Sequence, residues 1–365
     1  MKLSVMQENF ANALRTVSKA VDKSPQLPVL ANVLLEADDS RLHVTGTNLE
    51  LSITVSMGAK VEMPGSITLH AKTLCDLVSL LSNERIDISR TDEHSTLRLR
   101  CGIQDTHIRG IAAEEFPPVK HKLDEAPIVM EGKVLRDMIR QTAFSATKEF
   151  YRPILNGINL ELKDRRLTMA ASDGYRLARR SAEIDYTGEK TSVVIPAKSG
   201  IVAHGIISED DESMLYISKE TNSISLTAPN TVLSTQLLEG KFPDVDAILP
   251  KSHMTTVKAY VEDMLIICQR VSIFSRDNAN QGNFRFDEAG SSISGRSAES
   301  GDSEGILDTT VEGPQYDGWV NIRYITDILK VIDEARVEIR VNAVDEPIMM
   351  CGEGREDMAF LIMPM

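Results

Sequence analysis

A pattern returns along this chain at intervals of 126 residues (193 − 67 = 126), and a repeat of that length restricts the fold more than any other feature. Ile67-Thr68-Leu69-His70-Ala71-Lys72 comes back as Val193-Val194-Ile195-Pro196-Ala197-Lys198. Phe116-Pro117-Pro118-Val119 comes back at the same offset as Phe242-Pro243-Asp244-Val245. Pro28-Val29-Leu30 and Arg41-Leu42 return as Pro153-Ile154-Leu155 and Arg166-Leu167, one residue sooner. Trp319-Val320-Asn321-Ile322-Arg323-Tyr324 is a fainter third copy of the first marker. Solenoid repeats run to roughly 20–50 residues, so a unit this long is a domain in its own right. A chain of 365 residues accommodates three of them. Proline and charge gather between Glu114 and Pro127 and between Asp244 and His253, which bounds the units at 1–121, 128–246 and 254–365. Three copies of one fold in tandem suggest that shape, rather than a single catalytic pocket, is the product.

Within a unit the apolar spacing predicts helix, strands, second helix, strands. Phe10, Leu14, Val17 and Val21 form one face of an opening helix, matched by Leu135, Met138, Ile139 and Thr142 and by Met264, Leu265 and Cys268. Period-two runs at 33–36, 42–45 and 51–55 read as strands. A second helix is expected over 72–81, with Ile325, Ile328 and Leu329 marking its third copy. The Ser- and Gly-rich stretch 291–305 alternates at Ile293 and reads as strand, turn, strand with an acidic face. Aromatic residues are only 5% of the chain, so aliphatic side chains and methionine must build the cores.

The net charge of −14 argues at first against nucleic acid, but a total says nothing about distribution. Arg15, Lys19 and Lys23 follow one another opposite the apolar stripe of the first helix, and Lys133, Arg136 and Arg140 do so in the second unit. Lys72, Lys198 and Arg323 open the second helices, with Lys330 two turns further along the third. One such line is usually a solvated helix face. Lines on corresponding helices instead favour a shared cationic surface, and a phosphate backbone is its natural partner. The chain has no helix-turn-helix, zinc finger or aromatic platform for reading bases.

Signatures of nucleotide, zinc-protease and hydrolase chemistry are missing, and no metal or cofactor is expected. Four scattered cysteines (Cys75, Cys101, Cys268, Cys351) read as reduced core residues. Short apolar runs and an N-terminus without a signal-peptide core point to a soluble, cytoplasmic protein. Two other classes stay open on the residues: an enzyme that uses Asp173 of Ser172-Asp173-Gly174, and a peptide-binding scaffold that does not touch DNA. The first is weakened because Thr47-Asn48 stands at the matching place and suggests a turn.

Leu27-Pro28-Val29-Leu30, Leu155-Asn156-Gly157, the run from Ser172 to Ala178, Phe242-Pro243-Asp244 with Leu249-Pro250, and Met363-Pro364-Met365 occur in order. With the threefold repeat, they make the chain resemble the DNA polymerase III beta subunits, the bacterial replicative sliding clamps, over its whole length. The resemblance implies an α+β fold, three tandem copies of a DNA-clamp domain with two helices packed on antiparallel sheets. It further implies a head-to-tail homodimeric ring of six domains around double-stranded DNA, acting without catalysis as a processivity factor. Partners would be the DNA polymerase III alpha subunit, an ATP-dependent clamp loader, and other polymerases and repair proteins, through short linear peptides. By motif, the peptide groove falls on Leu155, Ser172, Gly174, Tyr175, Arg176, Leu177, Pro243, Ile248, Leu361, Met363, Pro364 and Met365. DNA contacts fall on Lys23, Lys72, Lys148, Arg152 and Lys198, with Ser24 standing where many relatives have arginine. The dimer interface falls on Ile108, Ile273 and Phe274, with Arg98, Arg100 and Arg109 facing Glu299, Asp302 and Glu304.

Overall fold

A computed structural model describes residues 1–22, 25–91, 96–149 and 151–365. The first pass along the repeat is β1 (Lys2–Met6), α1 (Gln7–Val17), β2 (Asn32–Asp38), β3 (Arg41–Thr47), β4 (Leu51–Gly58), β5 (Lys60–Met63), β6 (Gly65–His70), α2 (Ala71–Ser79), β7 (Arg85–Thr91), β8 (Thr96–Cys101) and β9 (Gln104–Arg109). The second is β10 (Ile128–Glu131), α3 (Gly132–Ala143), β11 (Gly157–Lys163), β12 (Arg166–Ser172), β13 (Arg176–Glu183), β14 (Thr191–Pro196), α4 (Ala197–His204), β15 (Glu212–Ser218), β16 (Ser223–Ala228) and β17 (Thr231–Gln236). A single-turn helix α5 (Val245–Ile248) then leads to the third pass. That pass is β18 (Thr255–Tyr260), α6 (Val261–Ser272), β19 (Gln281–Phe286), β20 (Ser291–Ser297), β21 (Gly301–Leu307), β22 (Thr309–Glu312), β23 (Tyr316–Asn321), α7 (Ile322–Leu329), β24 (Arg336–Val341), β25 (Ile348–Gly352) and β26 (Met358–Ile362).

The repeated marker is a strand-to-helix junction, since α2, α4 and α7 begin at Ala71, Ala197 and Ile322. The strand–turn–strand expected over 291–305 is the β20–β21 hairpin, with Ser291 opposite Leu307 and Ser297 opposite Gly301. The first helix is shorter than its periodicity suggests. Phe10, Leu14 and Val17 are buried on α1, but the chain tightens into a single 3-10 turn at Ser18–Ala20, so Val21 lies beyond the helix.

The chain divides into two compact units. One comprises Met1–Lys133 and Val202–Leu237. It holds a five-stranded sheet, β5-β1-β7-β8-β9, and an eight-stranded sheet, β10-β15-β16-β17-β4-β3-β2-β6. In the latter, strands from the first and second passes meet at β17 and β4. His121 lies across that seam, its Nδ1 2.6 Å from Ser234 Oγ and its Nε2 2.8 Å from Thr54 Oγ1.

The other unit comprises Val134–Ile201 and Leu238–Met365. Its nine-stranded antiparallel sheet, β14-β11-β12-β13-β26-β25-β24-β18-β22, joins second- and third-pass strands at β13 and β26. A four-stranded sheet, β21-β20-β19-β23, packs with α6 and α7 around Phe284, Phe286, Met264 and Ile325. Alternation along β23 buries Tyr316 and Val320 and leaves Asp317 and Trp319 outward.

Candidate functional site

The turn before β13 is built by its own side chains. Ser172 Oγ donates to the Arg176 carbonyl at 2.7 Å, and Asp173 Oδ1 accepts from the amides of Tyr175 and Arg176 at 2.9 Å each. The same bonds recur in the first pass, where Thr47 Oγ1 donates to the Leu51 carbonyl and Asn48 Oδ1 accepts from Glu50 and Leu51. The residue at the tip has positive φ in both, Leu49 at 76° and Gly174 at 93°. Only the second is glycine, and a Cβ there would stand 2.9 Å from Arg152 Nη1. Asp173 Oδ2 is itself held by Arg176 Nε at 3.0 Å, so this carboxylate is committed to the turn on both oxygens. That commitment removes the enzyme reading of Asp173.

Around this turn lies a cleft of roughly 150 Å³, lined by Arg152, Leu155, Ser172, Gly174, Tyr175, Arg176, Leu177, Pro243, Ile248, Leu361 and Met363. Leu177 and Leu361 face each other across the β13–β26 ladder and, with Leu155, are buried as its floor. Tyr175, Ile248 and Met363 are exposed along its rim. Asp244 Oδ1 caps α5 by accepting from Ala247, which sets Ile248 in place. Beyond β26 the chain continues beside the turn, Met363 N donating to the Tyr175 carbonyl at 2.9 Å, and Met365 N then donates to the Trp319 carbonyl at 2.9 Å.

The cleft gathers ten of the twelve residues expected of a groove; Pro364 and Met365 follow it along the tail. Arg176 lines it in an unexpected way, because its guanidinium is used up in the protein. It pairs with Asp173 and Asp327, donates to the Phe144 carbonyl, and lies over the rings of Phe144 and Tyr324. Arg152, expected at DNA, forms part of the cleft wall and lies over the Tyr151 ring. Asp327 and Tyr324 come from the third pass of the chain, so nothing in the sequence marks them as partners of Arg176.

The expected cationic positions divide. Lys72, Lys148 and Lys198 are exposed, Lys72 in an i,i+4 pair with Asp76 at 2.5 Å. Lys23 and Ser24 lie outside the described residues. Lys19 donates to the Gly205 carbonyl at 3.1 Å, and Arg140 is drawn into pairs with Asp137 and Asp333. The basic line therefore does not run whole along α3. Nor does α6 repeat it, for its first turn carries exposed Glu262 and Asp263. At the expected interface, Ile273 is 56% exposed and Phe274 half-buried, but Ile108 is 8% exposed and belongs to its own core. What β9 offers is its edge. Arg98 is paired with Asp105 across β8 and β9, which leaves the particular charge pairing expected for it unsupported.

Residues 1–120, 129–244 and 246–365 match the family models of the N-terminal, central and C-terminal domains of the DNA polymerase III beta subunit. The chain belongs to that family. It is 29% identical over 370 residues to the beta sliding clamp of Haemophilus influenzae, covering 100% of both. It is 27% identical over 376 residues to the beta sliding clamp of Bacillus subtilis, covering 100% of this chain and 99% of the relative. Its fold superposes on the crystal structure of the DNA polymerase sliding clamp from Bacillus subtilis with a TM-score of 0.95 at 25% identity, covering 100% and 99%. The three tandem clamp domains are thus established, and the function is that of a DNA sliding clamp, a non-catalytic one. No helix among the described residues is long and apolar enough to cross a membrane.

Proposed function

We propose that two copies of this chain close head to tail into a ring around duplex DNA in the cytoplasm. The observation that carries this reading is a pair of complementary open edges. β9 ends the five-stranded sheet beside Arg98, Arg100 and Arg109, and β21 ends the four-stranded sheet with Asp302 and Glu304 outward. Unpaired edges of this length invite a partner strand, and unlike edges give a heterologous contact that forms a closed ring when its rotation closes. Ile273 and Phe274 supply apolar area beside the second edge; Ile108 supports the first from beneath.

Exposed Lys72, Lys148 and Lys198, with Lys23 and Arg152, meet phosphates without reading sequence, so grip comes from enclosure rather than affinity. Partner proteins, the polymerase alpha subunit and clamp loader first among them and other polymerases and repair proteins after, insert short peptides into the cleft around Gly174. Its apolar floor and flexible methionine rim accept varied side chains. The test is topology. Protein loaded on nicked circular DNA stays bound through gel filtration and is released when the circle is cut once. Equal retention on circle and line would mean that the chain grips DNA by its surface, and the ring would be abandoned.

A further inference from the structure

Sulfur is divided unevenly between the core and the surface of this chain. Three of the four cysteines, Cys101, Cys268 and Cys351, are buried. Burial pushes their thiols up, that of Cys351 to about 11, so almost none of this sulfur stands as reactive thiolate. Cys75 is half-buried, its Sγ 3.2 Å from Ser18 Oγ. What the surface offers an oxidant is thioether, which needs no ionisation to react. Met6, Met63, Met214 and Met254 are exposed, and so are Met363 and Met365 on the tail. One of these sulfurs belongs to a site. Among the described residues that line the cleft around Gly174, Met363 alone carries sulfur. Its amide donates to the Tyr175 carbonyl at 2.9 Å, which pins its backbone to the rim. Its side chain stays 41% exposed beside the buried floor of Leu155, Leu177 and Leu361. A flexible thioether there can close over an apolar ligand, whereas a sulfoxide is polar and favours water over that contact.

We propose that Met363 is a redox-sensitive modification site: a hydroperoxide converts its thioether to the sulfoxide and so weakens the hold of the cleft on partner peptides. This rests on the reading of the cleft as a peptide site. In the forward step the sulfur lone pair takes one oxygen of hydrogen peroxide, the O–O bond breaks, an S–O bond forms, and water leaves. Sulfur gives up two electrons and the peroxide accepts them. A methionine sulfoxide reductase runs the return step, in which a dithiol supplies two electrons, becomes a disulfide, and the oxygen departs as water. Met363 lies beyond β26 and outside the buried core, so the change reaches the rim of the cleft without disturbing the packing beneath it. Oxidation thereby releases partners from an intact clamp, and reduction lets them return.

Calorimetry on the full-length protein tests this with the acetylated, amidated peptide Ser-Leu-Ser-Leu-Phe-Ser, whose apolar side chains suit the floor. Affinity is measured before and after mild hydrogen peroxide, and peptide mapping by mass spectrometry follows the oxygen added at each methionine. Sulfoxide at Met363 should weaken binding roughly three- to thirtyfold. Methionine sulfoxide reductases A and B with dithiothreitol should restore it. Met363→Leu, whatever its own affinity, should keep that affinity through the same treatment, although Met63 and Met254 are oxidised in it too. Met363→Gln, a polar substitute for the sulfoxide, should bind weakly with no peroxide present. An equal fall in Met363→Leu, or undiminished binding with the sulfoxide in place at Met363, would overturn the proposal. So would a loss that the reductases do not reverse, which is damage and not a switch. Failure of the peptide to bind the untreated protein would instead overturn the cleft as a peptide site. Should peroxide disturb the fold, as circular dichroism would show, Met363→Gln against the unaltered chain decides alone.

Discussion

Arg176 shows how much internal work a side chain that lines the cleft can also do. Its side chain is 11% exposed, between carboxylates from the turn and from α7, and stacked on the rings of Phe144 and of Tyr324 on α7. Removing one partner of a buried pair leaves the others uncompensated and typically costs about 3–5 kcal/mol. Arg176→Ala should therefore lower the Tm by roughly 6–20 °C, taking 2–4 °C per kcal/mol for a unit of this size. Arg176→Lys should recover little, because an ammonium lacks the planar fork; differential scanning calorimetry of both variants checks this. His121 gives a pH counterpart. Burial holds its pKa down to about 4, so the folded protein keeps it neutral where an unfolded chain would begin to protonate it. The unfolded state binds more protons between pH 4 and 6.5, so this contribution is complete above about pH 6.5 and is lost as pH falls toward 4. Between pH 7.5 and 5 the loss is roughly 2 kcal/mol. Urea denaturation at the two pH values should show it in the unaltered protein, and His121→Gln should flatten the difference.

Among elements, the tail after β26 carries the sharpest expectation. It completes the cleft rim at Met363 and reaches β23 through Met365, yet belongs to no core. Deleting Met363 to Met365 should abolish peptide binding by calorimetry and leave the dimer's sedimentation unchanged; surviving affinity would mean that the cleft is not the peptide site. This tail was visible in the sequence as apolar residues without a helical or strand partner. So were the strand-to-helix junctions, because periodicity and a fixed offset each mark them independently. The fate of the basic lines was not visible. Arg140 and Lys19 have the same spacing as an exposed face, but Asp333 and the Gly205 carbonyl reach them from positions set only by tertiary folding. Ile108 rests on the resemblance alone, since it is the one aliphatic residue of β9 and the sequence does not say whether it meets a partner or its own core.

At the level of the whole molecule, the repeat explains both what is uniform and where uniformity ends. The turn at 47–51 and the turn at 172–176 share their hydrogen bonds, and each leads into a strand that joins two passes. Where the second has Leu177 opposite Leu361, the first has Ser52 opposite Ser234. His121 then closes over that serine, at the repeat position where the later seam has Ala247. Identical scaffolds thus carry an apolar floor in one place and a hydroxyl ladder capped by imidazole in the other, so a peptide should bind once per chain. The proposed ring would close through surfaces separate from both seams. Ile273→Asp places a charge on an apolar residue outside the cleft, so it should halve the mass in sedimentation equilibrium and abolish retention on circular DNA. Its peptide affinity and circular dichroism should stay as they are, since no cleft or core contact is touched. A dimer that survived this change would move the interface away from the end of α6. A monomer that still clung to circular DNA would show that surface charge, rather than enclosure, does the holding.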